Sequence, residues 1–117
     1  MLRLVLLLSL LSVPALAGQA DVVAAEAVPT GDTWRFSATV RHADEGWDHY
    51  ADAWRVLAPD GRVLGVRELL HPHVTEQPFT RSLSGVAVPP DVDTVRIEAR
   101  DSVYGWGGAS VEVRLER

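Results

Sequence analysis

The sequence contains no cysteine, no lysine and no asparagine. Without cysteine the chain has no disulfides, no thiol nucleophile, and no thiolate ligands for a zinc ribbon or an iron–sulfur cluster. All 11 cationic side chains are arginines, and the 16 acidic ones bring the net charge to −5, which disfavours a polyanionic partner such as nucleic acid. With 117 residues, 47% of them hydrophobic, the chain has room for one domain that depends on its apolar core.

The first 17 residues have the pattern of a signal peptide. Arg3 supplies a positive charge, an apolar run follows at 4–13, and Ala15-Leu16-Ala17 has the small-x-small pattern of a cleavage site. The apolar run is too short to span a bilayer, and Gln19 stands where a lipoprotein would have its lipidated cysteine. We therefore expect a signal peptide at 1–17, a single domain at 18–117, and a periplasmic or secreted product without stable membrane insertion.

Hydrophobic residues alternate with polar ones in seven segments of the remaining chain, which is typical of half-buried β-strands. The predicted strands are 20–28, 34–41, 54–58, 62–70, 79–88, 95–99 and 111–115. Seven short strands without a helical stripe predict an all-β, seven-stranded antiparallel sandwich of the immunoglobulin or fibronectin type III kind. Trp54 would then be the buried tryptophan of the third strand, and a small closed barrel is the alternative.

The connections between these strands differ in length and chemistry. The first, third and fifth are plain turns, whereas the second (43–52), fourth (71–78) and sixth (102–108) are longer and carry histidines, acids and aromatics. Successive connections of an antiparallel chain alternate between its two ends, so the three longer ones should share one end. All four histidines fall there, since His42 ends the strand that enters the first of these loops.

The histidines predict a metal site at that end. In extended chain the side chains of His71 and His73 point to one side, close enough to share an ion, and Pro72 between them stiffens the segment. His49 from the neighbouring loop and Glu76 complete the predicted set, with Asp48, Asp101 and His42 as further candidates. Imidazoles without sulfur suit Cu or Zn; alternatively, these histidines only hydrogen-bond loop carbonyls and carboxylates.

Aromatic side chains are concentrated in the same loops. They predict a binding surface around the loop end, the rim, for a partner that is either a protein or a glycan. With the neighbouring acids, the predicted rim residues are Trp47, Asp48, Tyr50, Asp101, Tyr104 and Trp106. Some of these rings could instead cap the open end of the sandwich. Trp34, Phe36 and Trp54 are assigned to the core, because they follow the strand alternation.

Catalytic signals are weak by comparison. The serines at 82, 84 and 102 lack a nucleophile-elbow sequence, and the Gly105–Gly108 run is not followed by the Lys-Ser/Thr pair of a phosphate-binding loop. An enzyme is therefore the third hypothesis, and no catalytic residue is assigned.

Four strings of this sequence give it a family resemblance. They are WDHYAD at 47–52, HPH at 71–73, EQPFTRSL at 76–83 and DSVYGWGG at 101–108. The chain resembles a family of small secreted bacterial proteins of uncharacterised function, which implies export and a similar size but supplies no activity and no site residue. The sequence as a whole predicts an exported binding domain with a divalent transition metal at its loop end, or, alternatively, a metal-free protein- or glycan-interaction module.

Overall fold

The computed structural model describes residues 18–117, so the signal peptide predicted at 1–17 lies outside the described residues. Seven antiparallel strands make up this part of the chain, as the sequence predicted. They are β1 (Asp21–Thr30), β2 (Thr33–Arg41), β3 (Ala51–Leu57), β4 (Val63–Glu68), β5 (Phe79–Val86), β6 (Thr94–Asp101) and β7 (Gly105–Arg114). No helix within 18–117 is long and apolar enough to cross a membrane.

The strands form two sheets with the orders β1-β2-β5 and β4-β3-β6-β7. The fourth strand pairs with β3 and so lies in the four-stranded sheet. Because β2 and β3 belong to different sheets, the loop that joins them must cross from one layer to the other. The prediction of an all-β, seven-stranded antiparallel sandwich is confirmed.

The core lies between the two sheets and follows the period-two alternation of the sequence. In β2 the buried positions are Trp34, Phe36, Ala38 and Val40, and the intervening residues are more exposed. Trp54 in β3 is fully buried, as predicted for the core tryptophan. Each large apolar side chain removed from water in this way contributes about 1.5–3 kcal/mol to folding.

The last strand starts earlier than its apolar pattern indicated. The sequence predicted a loop over 102–108 and a strand from 111, whereas β7 already begins at Gly105 and pairs Trp106 with Arg100 of β6. Gly105, Gly107 and Gly108 all have positive φ; glycine adopts this conformation without the steric cost of a side chain. The β6–β7 connection is therefore the short segment 102–104.

The three connections expected at one end do meet there. The N–H of Ser102 donates to the carbonyl of Tyr50 at 2.9 Å, which joins the β6–β7 connection to the loop before β3. The N–H of His73, in the β4–β5 loop, donates to the carboxylate of Asp44, in the β2–β3 loop, at 2.6 Å. The histidine- and aromatic-rich segments therefore form one loop end of the sandwich.

Candidate metal centre

Two polar residues at the loop end continue the inward-facing rows of their strands. His42 follows the buried row of β2, and Asp101 ends the row of β6 that contains Val95, Ile97 and Ala99. Period-two geometry therefore points both side chains between the sheets. His42 is 4% exposed and Asp101 is 1% exposed, so each needs polar partners to offset its loss of water.

The ring of His42 lies between two carboxylates. Nδ1–H donates to Oδ1 of Asp44 at 2.6 Å, and Nε2 lies against Oδ2 of Asp101. The side chain of Asp44 is itself fully buried and also accepts the N–H of Ala51 at 3.0 Å. Since Asp44 holds Nδ1, the orientation of the ring is fixed and Nε2 is directed at Asp101.

Asp101 collects four donors on its two oxygens. Oδ1 accepts the N–H groups of Val103 and Tyr104 at 2.7 and 2.8 Å, while Oδ2 faces the Nε2 atoms of His42 and His49. Burial alone would raise the pKa of Asp101, but the hydrogen bonds from these N–H groups and imidazoles outweigh it and hold the pKa below the ordinary carboxylate value. Asp101 is therefore an anion at the centre of the loop end.

His49 reaches the same carboxylate from the β2–β3 loop. A turn at Gly46, which has φ of 101°, brings the chain back so that the N–H of Glu45 donates to the carbonyl of His49 at 2.8 Å. Nε2 of His49 then lies 2.6 Å from Oδ2 of Asp101, and Nδ1 lies 3.8 Å from the carboxylate of Glu45. His49 is the most accessible of the three, with its side chain 11% exposed.

These contacts bring three potential ligand atoms together. One ligand atom from each of His42, His49 and Asp101 lies within 4.8 Å of the other two, and we call these three residues the triad. The other polar atom of each side chain faces an outer partner: Asp44, Glu45, or the backbone N–H groups after Asp101. Outer partners of this kind orient the ligands of metal sites in proteins.

The charges and dimensions of the triad suit a dication. Among the described residues, the ion-pair partners of Asp44 and Asp101 are histidines, so neutral imidazoles would leave two buried negative charges. A divalent ion would balance both of them. Tetrahedral ligands about 2.0–2.1 Å from zinc lie about 3.3 Å apart, so the 2.6 Å contact between His49 and Asp101 has to widen by less than about 1 Å.

The remaining residues of the predicted metal set lie in the β4–β5 loop, outside the triad. His73 is buried against the ring of Phe79, with centroids 3.9 Å apart, and its Nε2 lies 2.8 Å from the guanidinium of Arg81. Glu76 faces the same guanidinium at 3.7 Å, and His71 is exposed. Arg81 puts a positive charge where an ion between His73 and Glu76 would have to bind, which disfavours a cation there. Of the predicted set, His49 alone joins the triad.

The predicted rim residues are distributed over three environments. Trp47 is 68% exposed and Tyr104 is 59% exposed at the loop end, and Asp48 is exposed beside them. Tyr50 is half-buried, with its ring 5.7 Å from that of Trp47.

The other two predicted rim residues lie away from the rim. Asp101 is buried within the triad, because it belongs to the row of β6 side chains that faces the core. Trp106 lies in β7 with the guanidinium groups of Arg55 and Arg100 over its ring, at 4.0 and 5.2 Å. The early start of β7 carries Trp106 out of the predicted loop and onto the sheet.

Sequence reasoning named His42 and Asp101 only as auxiliary ligands, although the structure places them at the centre. The signal that identifies them is their place in the strand alternation. His42 is two residues beyond Val40, and Asp101 is two residues beyond Ala99, so each continues a row of inward-facing residues that is otherwise apolar. A polar residue in such a row is directed into the core and requires a partner. Extending both alternations by one step would have directed both side chains between the sheets.

Comparison with known proteins gives one informative likeness. No family model matches the chain, and no solved structure matches it. A protein of Halomicrobium mukohataei named "Putative lipoprotein" is 43% identical over 86 residues. The match covers 74% of this chain and 42% of that protein, so the chain spans less than half the length of its relative.

Proposed function

We propose that this chain is an exported binding domain that holds a divalent transition metal, Zn(II) or Cu(II), through His42, His49 and Asp101. Export is supported by the signal-peptide pattern at 1–17 and by the likeness to the protein named "Putative lipoprotein". Since the chain has no cysteine to carry a lipid, a periplasmic or secreted form is the one we propose.

The observation that carries the metal assignment is the convergence of the three triad atoms. Two imidazole nitrogens and one carboxylate oxygen meet between the sheets, and each side chain has its other polar atom facing an outer partner. Imidazole with carboxylate is a ligand set for Zn, Cu and other first-row divalent ions. Entry would be past His49, whose side chain is the most accessible of the three at 11% exposed.

Metal binding is tested by thermal unfolding with and without Zn(II), followed by EDTA. Binding to the folded state at a free ion concentration 100 times Kd adds about 2.7 kcal/mol, which raises the Tm of a domain of this size by about 10 °C or more. EDTA should reverse the shift. No shift with either Zn(II) or Cu(II) would contradict the proposed function.

Matched variants separate the triad from the metal set predicted from sequence. His49→Gln should abolish the metal-dependent shift, because it removes a triad ligand that is close to the surface. His71→Gln, the same substitution at an exposed histidine of the same loop end, should leave the shift intact. The reverse pattern would place the ion at the β4–β5 loop instead.

A metal-free interaction module is the second candidate, and the exposed aromatics favour it. Trp47 and Tyr104 are more than half exposed at the loop end, and the ring of Tyr104 lies 5.6 Å from that of His49. Exposed tryptophan and tyrosine are frequent anchors for proteins and sugars. If no metal binds, a change in Trp47 fluorescence on titration with a candidate glycan or protein would support this function.

A further inference from the structure

The backbone of Gly18 lies against the triad. Nε2 of His42 lies 3.1 Å from the carbonyl oxygen of Gly18. This nitrogen also lies against Oδ2 of Asp101 in the triad. The backbone of Gly18 is therefore a neighbour of any ion that the triad holds.

The segment that follows Gly18 is anchored at this place. The side-chain oxygen of Gln19 accepts the N–H of Gly108 at 2.9 Å, Ala20 is fully buried, and Asp21 accepts the N–H of Ala109 at 2.7 Å. The glycine at 108 permits the approach, because a Cβ there would collide with the carbonyl of Ala20. Gly18 is thus positioned by a docked segment as well as by its contact with His42.

Cleavage at the predicted site would change the chemistry of Gly18. Cutting after Ala17 converts the peptide nitrogen of Gly18, which cannot ligate as a neutral amide N–H, into a free α-amino group. The amine nitrogen and the carbonyl oxygen of one residue are three bonds apart, so the amine always lies close to the carbonyl oxygen. The carbonyl that now faces His42 therefore brings the amine within reach of the same ion.

We propose that removal of the signal peptide completes the metal site, with the α-amino group of Gly18 as a fourth ligand beside His42, His49 and Asp101. This inference rests on the proposed metal-binding function. Three protein ligands leave a position open, as in catalytic zinc sites, whereas four close the site, as in structural ones. The mature domain should consequently bind the ion more tightly than any form whose Gly18 nitrogen is blocked.

The absence of lysine makes a clean test possible. A chain that starts at Gly18 has a single primary amine, its own α-amino group, so N-hydroxysuccinimidyl acetate can block it selectively. The intact mass of the exported protein first establishes whether the chain starts at Gly18. Zn(II) affinity is then measured, by competition with a chelator, for the exported protein before and after acetylation.

Acetylation should weaken Zn(II) binding by about tenfold or more, since losing even an outer partner of a metal ligand costs 10–100-fold. The Tm in EDTA should stay unchanged, which shows that the blocked protein still folds. Bound Zn(II) should also slow acetylation in the wild type but not in His49→Gln.

Each other result overturns the inference and identifies the step that fails. Equal affinities before and after acetylation mean that the triad binds metal without the amine. A mass that places the cleavage elsewhere removes the amine from the site. If the unmodified protein binds no Zn(II), the proposed function fails together with the inference.

Discussion

Asp101 is the residue on which the loop end depends most, and Asp101→Asn is the sharpest perturbation of it. The variant keeps the size of the side chain and one acceptor oxygen for the N–H groups of Val103 and Tyr104. It removes the negative charge that both Nε2 atoms of the triad face. Taking one partner from a buried ion pair costs about 3–5 kcal/mol, a large part of the 5–15 kcal/mol that stabilises a typical domain.

The assay is unfolding by urea in the presence of EDTA, with tryptophan fluorescence as the signal. We expect Asp101→Asn to lose about 3–5 kcal/mol and to lower Tm by at least about 12 °C. Asp52→Asn is the matched control: Asp52 pairs with Arg100 at 2.8 Å but is partly exposed, and such pairs contribute about 1 kcal/mol or less. Equal losses in the two variants would refute the central structural role of Asp101.

The difference in stability between wild type and Asp101→Asn should also depend on pH. Because the folded state holds the pKa of Asp101 below the ordinary value, the carboxylate stabilises the protein at any pH above its unfolded value. That contribution should decline as pH falls below about 4 and vanish once the folded-state carboxylate is protonated. The difference in the free energy of unfolding between wild type and Asp101→Asn should therefore persist at neutral pH and disappear in strong acid. A gap that does not change with pH would contradict this assignment.

The remaining predictions concern the core and the β4–β5 loop. Trp54→Ala should cost about 3–5 kcal/mol, because the ring is fully buried, whereas Trp106→Ala on the sheet surface should cost far less; similar urea midpoints would contradict the core assignment. Burial, Arg81 and His71 lower the pKa of His73, so the unfolded chain takes up a proton that the folded one resists. Stability should therefore fall as pH drops below the ordinary histidine value of about 6.5, and His73→Gln should flatten part of that fall; an unchanged pH dependence would count against it.

The fold could be predicted from the sequence because its determinants are local. Alternation such as that of Trp34, Phe36, Ala38 and Val40 fixes which face of a strand is buried, and proline- and glycine-containing turns mark where strands end. The count of seven strands then placed the three longer connections at one end. The start of β7 could not be predicted in this way, since Gly105–Gly108 has almost no side chains to show an alternation and the strand forms through its pairing with β6.

The candidate site was only partly predictable. The His71-Pro72-His73 spacing favoured a pair of ligands, but spacing along a strand does not show what lies opposite. In the structure Arg81 and Phe79 take the positions beside His73. The position of His49 depends on the turn at Gly46 and on a carboxylate 52 residues later in the chain, which no local pattern specifies.

The most direct test of the account is X-ray diffraction from crystals of the exported protein grown with Zn(II), with data recorded on both sides of the zinc absorption edge. The anomalous difference map should show one strong peak between the sheets, about 2.0–2.2 Å from Nε2 of His42, Nε2 of His49 and Oδ2 of Asp101. A peak between His71 and His73, or no peak at the triad in protein saturated with Zn(II), would contradict the central claim.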